Sequence, residues 1–166
     1  MNDSSADIDG RKLRDTVGRF ATGVTIITAK SATGADVGLT ANSFTSVSLE
    51  PPLVLFCLAH SAQSRDAFDD GSHFAVNILS SAQKDLSSRF ARSGDDKFDG
   101  LTTDRGVSGV AIVPGCLAIL ECATHGRVEA GDHVIVIGRV LRLSVADDDD
   151  EEAPLLFYRG GYAQLA

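Results

Sequence analysis

Two long apolar-rich segments, Leu117 to Val128 and His133 to Val145, are separated only by Glu129-Ala-Gly-Asp132. Aliphatic and β-branched residues dominate both, and a short glycine-containing connection between two such runs has room only to double back. The pattern predicts an antiparallel hairpin. Both faces of His133 to Leu143 carry apolar residues, and so do both faces of Leu53 to Ala59. Strands of that kind ask for burial on two sides, which a chain of 166 residues cannot supply by itself everywhere. An oligomer is therefore expected.

The remaining segments fit around such a sheet. Arg11 to Ala21 sets Leu13, Val17, Phe20 and Ala21 on one face, which predicts an amphipathic helix ended by Gly23 and laid over an open end of the sheet. Strands are expected at Val24 to Thr28, Val37 to Ala41, Phe74 to Leu79, Val110 to Val113 and Leu155 to Tyr158. Ser61 is placed to cap a short helix over Ala62 to Phe68. Ser80 or Ser81 is placed to cap another over Ala82 to Ala91, with Leu86 and Phe90 turned inward. With 8 Phe, 2 Tyr and no Trp, the core must rest on Val, Ile, Leu and Ala. Strands at hairpin spacing without a βαβ rhythm indicate a mainly β protein, an antiparallel barrel with a few helices. One domain over residues 11–166 is expected, preceded by a poorly ordered polar segment at 1–10 that lacks the apolar run of a secretory signal.

Charge narrows the function classes. Of the formal charge of −8, residues 147 to 152 contribute −6, which leaves −2 for the rest. That balance suits neither a nucleic-acid partner nor a membrane surface, and the acidic run reads as a solvated hairpin tip or loop. No apolar stretch approaches the roughly 18 residues needed to cross a bilayer, so a cytoplasmic protein is expected. Cys57, Cys116 and Cys122 form no C-x-x-C. On one extended strand Cys116 and Cys122 would stand about 20 Å apart, so all three are read as buried thiols. The four histidines show no metal-ligand spacing, and no metal is expected. G-x-G-x-x-G, Walker and G-x-S-x-G motifs are absent. Asp132-His133 is not read as a dyad, since adjacent strand residues point to opposite faces, and by itself His133 reads as a residue flanking the turn.

Two stretches offer chemistry. Gly38 to Leu53 holds five hydroxyls, on Thr40, Ser43, Thr45, Ser46 and Ser48, with the amide of Asn42, and ends in Pro51-Pro52. Short hydroxyls and accessible backbone amides suit the edge of a planar, heteroatom-rich ring, although a polar edge strand would look the same. Ser87 to Phe98 runs from a helix end into a small-residue loop with Arg89, Arg92 and Lys97, which suits an anion and equally a solvated loop.

Taken together, Thr40 to Pro52, Arg89-Phe-Ala91 with Lys97-Phe98, Gly131-Asp-His133 and Tyr158-Arg-Gly-Gly-Tyr162 resemble the short-chain flavin reductase family, the reductase components of two-component monooxygenases. The resemblance runs from about Leu13 to Leu165. It implies a homodimeric Greek-key split β-barrel of the FMN-binding type. It also implies binding of FMN or FAD, NADH or NADPH as co-substrate, and a flavin-dependent monooxygenase as the acceptor of reduced flavin. Carried over by position, it assigns the ring and ribityl chain to Thr40, Ala41, Asn42, Ser43, Ser46, Val47 and Ser48. The phosphate falls to the region of Cys57, Ser61, Ser64, Arg89, Phe90 and Lys97, the nicotinamide nucleotide to His133, and an approach from the C-terminal strand to Tyr158 and Arg159. No side chain is implied as nucleophile or acid–base catalyst, since the hydride passes between cofactors. A flavin carrier without turnover, and an oxidase of another small substrate, would share the fold.

Overall fold

The computed structural model describes residues 8–69, 72–94, 96–147 and 152–165. In chain order the elements are α1 (Gly10–Val17), β1 (Thr22–Gly23), β2 (Thr25–Lys30), β3 (Asp36–Ala41), β4 (Thr45–Leu49) and β5 (Pro52–Ala59). A 3₁₀ turn at Arg65–Phe68 leads to β6 (His73–Ile78), and a second at Ser81–Gln83 runs into α2 (Lys84–Phe90). Then follow β7 (Asp104–Arg105), β8 (Ala111–Ile112), β9 (Ala118–Ala130), β10 (His133–Val145), β11 (Leu156–Tyr158) and β12 (Gly161–Ala163).

Seven strands form one antiparallel sheet in the order β3-β2-β6-β9-β10-β5-β4. Its centre is the β9–β10 hairpin, in which His133 pairs with Ala130 and only Gly131 and Asp132 turn the chain. Gly131 has φ +66°, the left-handed value that the first position of a tight two-residue hairpin turn takes. The order of the sheet has a geometric consequence. Six strand spacings would hold the edges β3 and β4 about 29 Å apart if the sheet were flat. Yet the four residue steps from Ala41 to Thr45 reach at most about 14 Å. The sheet must curl until its edges approach, and bulges in the β9–β10 ladder at Ile137/Gly138 and Val140/Arg142 provide curvature. Ser43 fastens the junction: its hydroxyl accepts from the Cys57 amide at 2.9 Å and lies 3.3 Å from the Cys57 carbonyl.

The curl encloses a core in which Phe56, Phe68 and Phe74 meet edge to face, with centroids 5.3, 5.4 and 6.0 Å apart. A second cluster, including Ile26, Leu79, Phe90, Val113 and Leu155, lies under α2. Among the described residues no helix is long and apolar enough to cross a membrane.

Several expectations change in detail. The first helix stops at Val17 with Gly18 as its cap, five residues before Gly23. It buries nothing: Leu13, Val17 and Phe20 are 52%, 61% and 75% exposed, so it covers no end of the sheet within the single chain. Residues 62–68 give one 3₁₀ turn, preceded by Ser64 and without a side-chain cap. Before α2, the Gln83 side chain accepts from the Ser80 amide at 3.0 Å, and the helix proper begins at Lys84. Burial on β10 alternates through its first half and is lost in the second, where Leu141, Leu143 and Val145 are open. Cys116 precedes β9, and Cys57 is only partly buried. Most of the N-terminal segment at 1–10 and the middle of the acidic run at 147–152 lie outside the described residues.

Candidate functional site

Because β3 and β4 are opposite edges of the sheet, linked only through residues 42–44, a gap remains between β3 and the loop that follows β5. That gap is a cleft of about 480 Å³, within the range of small-molecule sites. One wall is β3 from Asp36 to Thr40 and the other is Ala59 to Ser64; Phe90 to Gly94, with Lys97 and Phe98, closes the end.

Each wall has a local cause. Gly38 sits against Phe90 so tightly that a Cβ would meet the ring at 2.7 Å. Phe90 packs on Phe98 at 4.9 Å. Thr40 Oγ1 donates to the Ser87 carbonyl at 2.6 Å, and Ser87 Oγ meets Tyr162 Oη at 2.8 Å, so α2 is clamped between β3 and the C-terminal hairpin. Lys97 Nζ donates to the carbonyls of Gly38 and Phe90 at 2.9 and 3.2 Å, which fixes its ammonium over the cleft. By contrast, no described residue bonds the hydroxyls of Ser61 and Ser64, and Arg92 is likewise uncommitted. Two hydroxyls and two cations beside apolar Leu39, Ala59 and Phe90 form a donor set that fits a phosphate with a flat ring beyond it.

The sixteen candidate positions divide. Thr40, Ser61, Ser64, Phe90 and Lys97 meet in the cleft. Thr40 and Asn42 also line a smaller hollow with Val24, Ala91, Phe157 and Tyr162. Ala41 is buried at the end of β3, and Ser43 and Cys57 are joined to each other behind the cleft. Ser46, Val47 and Ser48 stand on the edge strand β4, apart from the cleft, with Ser46 and Val47 exposed. Arg89 points away and donates to the Asp99 carbonyl at 3.1 Å. Tyr158 ends β11, and Arg159 with Gly160 makes the turn to β12, where the Arg159 amide donates to the Gly18 carbonyl at 2.8 Å. His133 pairs across the ladder with Ala59 of the cleft wall, so it stands at the rim.

One reading of the sequence is corrected here. Asp132 lies in the turn, before the strand begins, so it does not alternate with His133; its Oδ1 is 2.7 Å from His133 Nδ1. The His133 hydrogen bond and charge hold the Asp132 carboxyl below the ordinary range. Leu39, Ala62, Gln63 and Ser93 fall inside stretches that the sequence marked without being named as contacts, whereas Asp36 lies outside them, where only the approach of distant segments could have marked it. Among the described residues no group of His, Cys, Asp and Glu is gathered to hold a metal ion.

The model of the flavin reductase like domain matches residues 17–166. The chain belongs to the flavin reductase-like family. It is 47% identical over 93% of its length to the "Probable flavin reductase" of Rhizobium meliloti (strain 1021), and spans 48% of that protein. It is 41% identical to the flavin-dependent monooxygenase reductase subunit HsaB of Mycobacterium tuberculosis (strain CDC 1551 / Oshkosh), covering 97% of this chain and 85% of that one. Among solved structures it is similar to the NADH:FAD oxidoreductase SgcE6 of Streptomyces globisporus C-1027, in complex with NAD and FAD fragments. There the TM-score is 0.87 and identity 37%, over 95% of this chain and 93% of the other.

Proposed function

We propose that this chain is a flavin reductase that moves a hydride from NADH or NADPH to FMN or FAD and hands the reduced flavin to a partner monooxygenase. The observation that carries this reading is the cleft beside β3, where uncommitted serine hydroxyls and two cations gather at one end of an apolar slot. Family membership supports it. The NAD and FAD fragments of SgcE6 support the cofactor pair, and the role of HsaB as a reductase subunit supports the partner.

When bound, flavin supplies the hydride acceptor and the reduced nicotinamide the donor. The chain's share is to bind and orient. Ser61 and Ser64 donate to the flavin phosphate, Lys97 and Arg92 balance its charge, and Thr40 and Asn42 meet the ring edge. The family resemblance also assigns Ser46, Val47 and Ser48 to the flavin, from the edge strand β4 that stands apart from the cleft, with Tyr158 and Arg159 approaching from the C-terminal hairpin. Leu39 and Phe90 keep water from the ring. His133, oriented by Asp132 through Nδ1, offers Nε2 to the nicotinamide nucleotide. Bringing two rings into register in this way can remove up to about 7–11 kcal/mol of barrier without a side chain taking part covalently.

The curled sheet is read as a Greek-key split barrel, and the protein as a homodimer over the open apolar residues of β10, β4 and α1. The test is consumption of NADH and of NADPH with FMN, FAD and riboflavin in turn. A rate that requires flavin is expected. Flavin binding without any such rate would replace the reductase by a flavin carrier.

A further inference from the structure

The cleft does not end where a phosphate would sit. Past Gly38 and Lys97 it continues along β3 to Asp36, Ala35 and Ser31. Four residues of strand separate Thr40 from Asp36, about 13 Å. At this far end stands a fixed carboxylate. Lys30 Nζ and Arg105 Nη1 approach Asp36 at 2.8 and 2.7 Å, and both choose Oδ1. Each cation is itself held, Lys30 by the Gly34 carbonyl at 3.2 Å and Arg105 by that of Gly109 at 3.3 Å. Among the described residues no hydrogen bond to Oδ2 is formed. The Ser31 hydroxyl is engaged within its own turn, 2.9 Å from Thr33 Oγ1 and accepting from the Ala35 amide at 3.1 Å.

We infer that this end of the cleft is an adenosine subsite, with Asp36 as the residue that favours FAD over FMN. The inference rests on the proposed flavin reading and deepens it. A carboxylate oxygen accepts and never donates, so it selects groups that carry hydrogen: ribose hydroxyls or the exocyclic amine of adenine. FMN ends in a phosphate monoester, which near neutral pH carries about −1.5 to −2 charge and has little hydrogen to give an acceptor such as Asp36. In FAD the chain continues through a diphosphate, whose charge Lys97 and Arg92 can share, into a nucleoside rich in donors. Small Ala35 and Ser31, with Gly94 on the facing loop, leave room for a flat base.

The experiment is a titration of FMN and of FAD into the wild-type protein, Asp36→Ala and Ala35→Trp, followed by quenching of flavin fluorescence, with melting curves for all three. The first variant removes the acceptor, and the second fills the exposed end of the cleft. Wild type should bind FAD more tightly than FMN by about tenfold or more, as expected for a hydrogen bond to a charged group. Both variants should lose that preference while FMN affinity stays within about twofold. Equal affinities in the wild type, or variants that weaken both flavins alike, would overturn the adenosine subsite and leave the reductase reading standing. Binding of neither flavin to the wild type would remove both.

Discussion

His133 illustrates how one side chain can matter without being buried. Its ring is 43% exposed, and the bond to Asp132 fixes Nδ1 and leaves Nε2 outward at the cleft rim. His133→Ala should therefore raise the KM for the nicotinamide by about 10-fold to 100-fold, the loss of one hydrogen bond to a charged group. Flavin affinity and Tm should hardly move, because little packing is lost; steady-state kinetics and a flavin titration on the same variant check both. The thiols behave differently. Burial pushes Cys116 up to about 11 and Cys122 to about 12, from 9.0; Gln83 partly opposes the first shift, and the Glu121 charge adds to the second. Both groups are raised in the folded state, so their stabilising contribution is complete below pH 9 and disappears as pH rises toward 11–12, where the unfolded chain gains thiolate first. Urea midpoints should fall over that window, and the fall should be shallower in Cys122→Ala. At pH 8 a thiol reagent should label Cys57 well before the other two.

At the scale of elements, the sheet is held to its surroundings by a few buried polar groups. Asn77, fully buried on β6, donates to the Ile26 carbonyl at 2.9 Å and to Thr28 Oγ1 at 3.2 Å, and accepts from the Val113 amide at 2.9 Å. Thr28 Oγ1 in turn donates to the Ala111 carbonyl at 2.6 Å. Together they fasten β8 over β2 and β6. Asn77→Ala would strand the Val113 amide away from water, which costs about 2–3 kcal/mol, or about 5–10 °C in Tm for a chain of this size. Calorimetry would show it, and an unchanged Tm would mean that water replaces the side chain. Glu121 performs a similar service outside the sheet: it accepts from the Val107 amide and from Arg142 Nε, the latter at 2.5 Å, and so pins the loop after β7 to β9 and β10. Helix α1 is tied only at its end, where the Arg159 amide donates to the Gly18 carbonyl, and none of its residues is buried among the described ones.

For the whole molecule, that open face joins others. Leu49 on β4 is 92% exposed, and Leu143 and Val145 on β10 are 66% and 70% exposed. Residues of this kind on several elements exceed the scattered exposure of a monomer surface and suit a symmetric interface with a second copy. Light scattering should give twice the chain mass of 17.4 kDa at micromolar concentration. Leu143→Lys combined with Leu49→Lys should shift the protein toward monomer without unfolding it, because neither side chain is packed within the chain.

The local patterns of the sequence determined a good deal. Apolar runs bounded by turn residues marked β3, β5, β6, β9 and β10 to within a few residues, since strand period and glycine chemistry act over short range. The order of four separated motifs pointed to the flavin reductase-like family, and the resemblance grouped Ser61, Ser64, Phe90 and Lys97, which do line one cleft. Helix α1 was overextended because an amphipathic period does not reveal where a cap will end it, nor whether anything lies beneath it. The Asp132–His133 contact was missed because it depends on where the turn stops and the strand starts, a difference of one residue. The cleft itself belonged to the tertiary structure alone. It exists because β3 and β4, joined by three residues, are opposite edges of a seven-stranded sheet that must curl, and only that closure brings Asp36, Gly38 and Leu39 across from Ser61 to Ser64. Contacts between residues far apart in the chain follow from how strands are ordered, and no local pattern of hydrophobicity encodes that order.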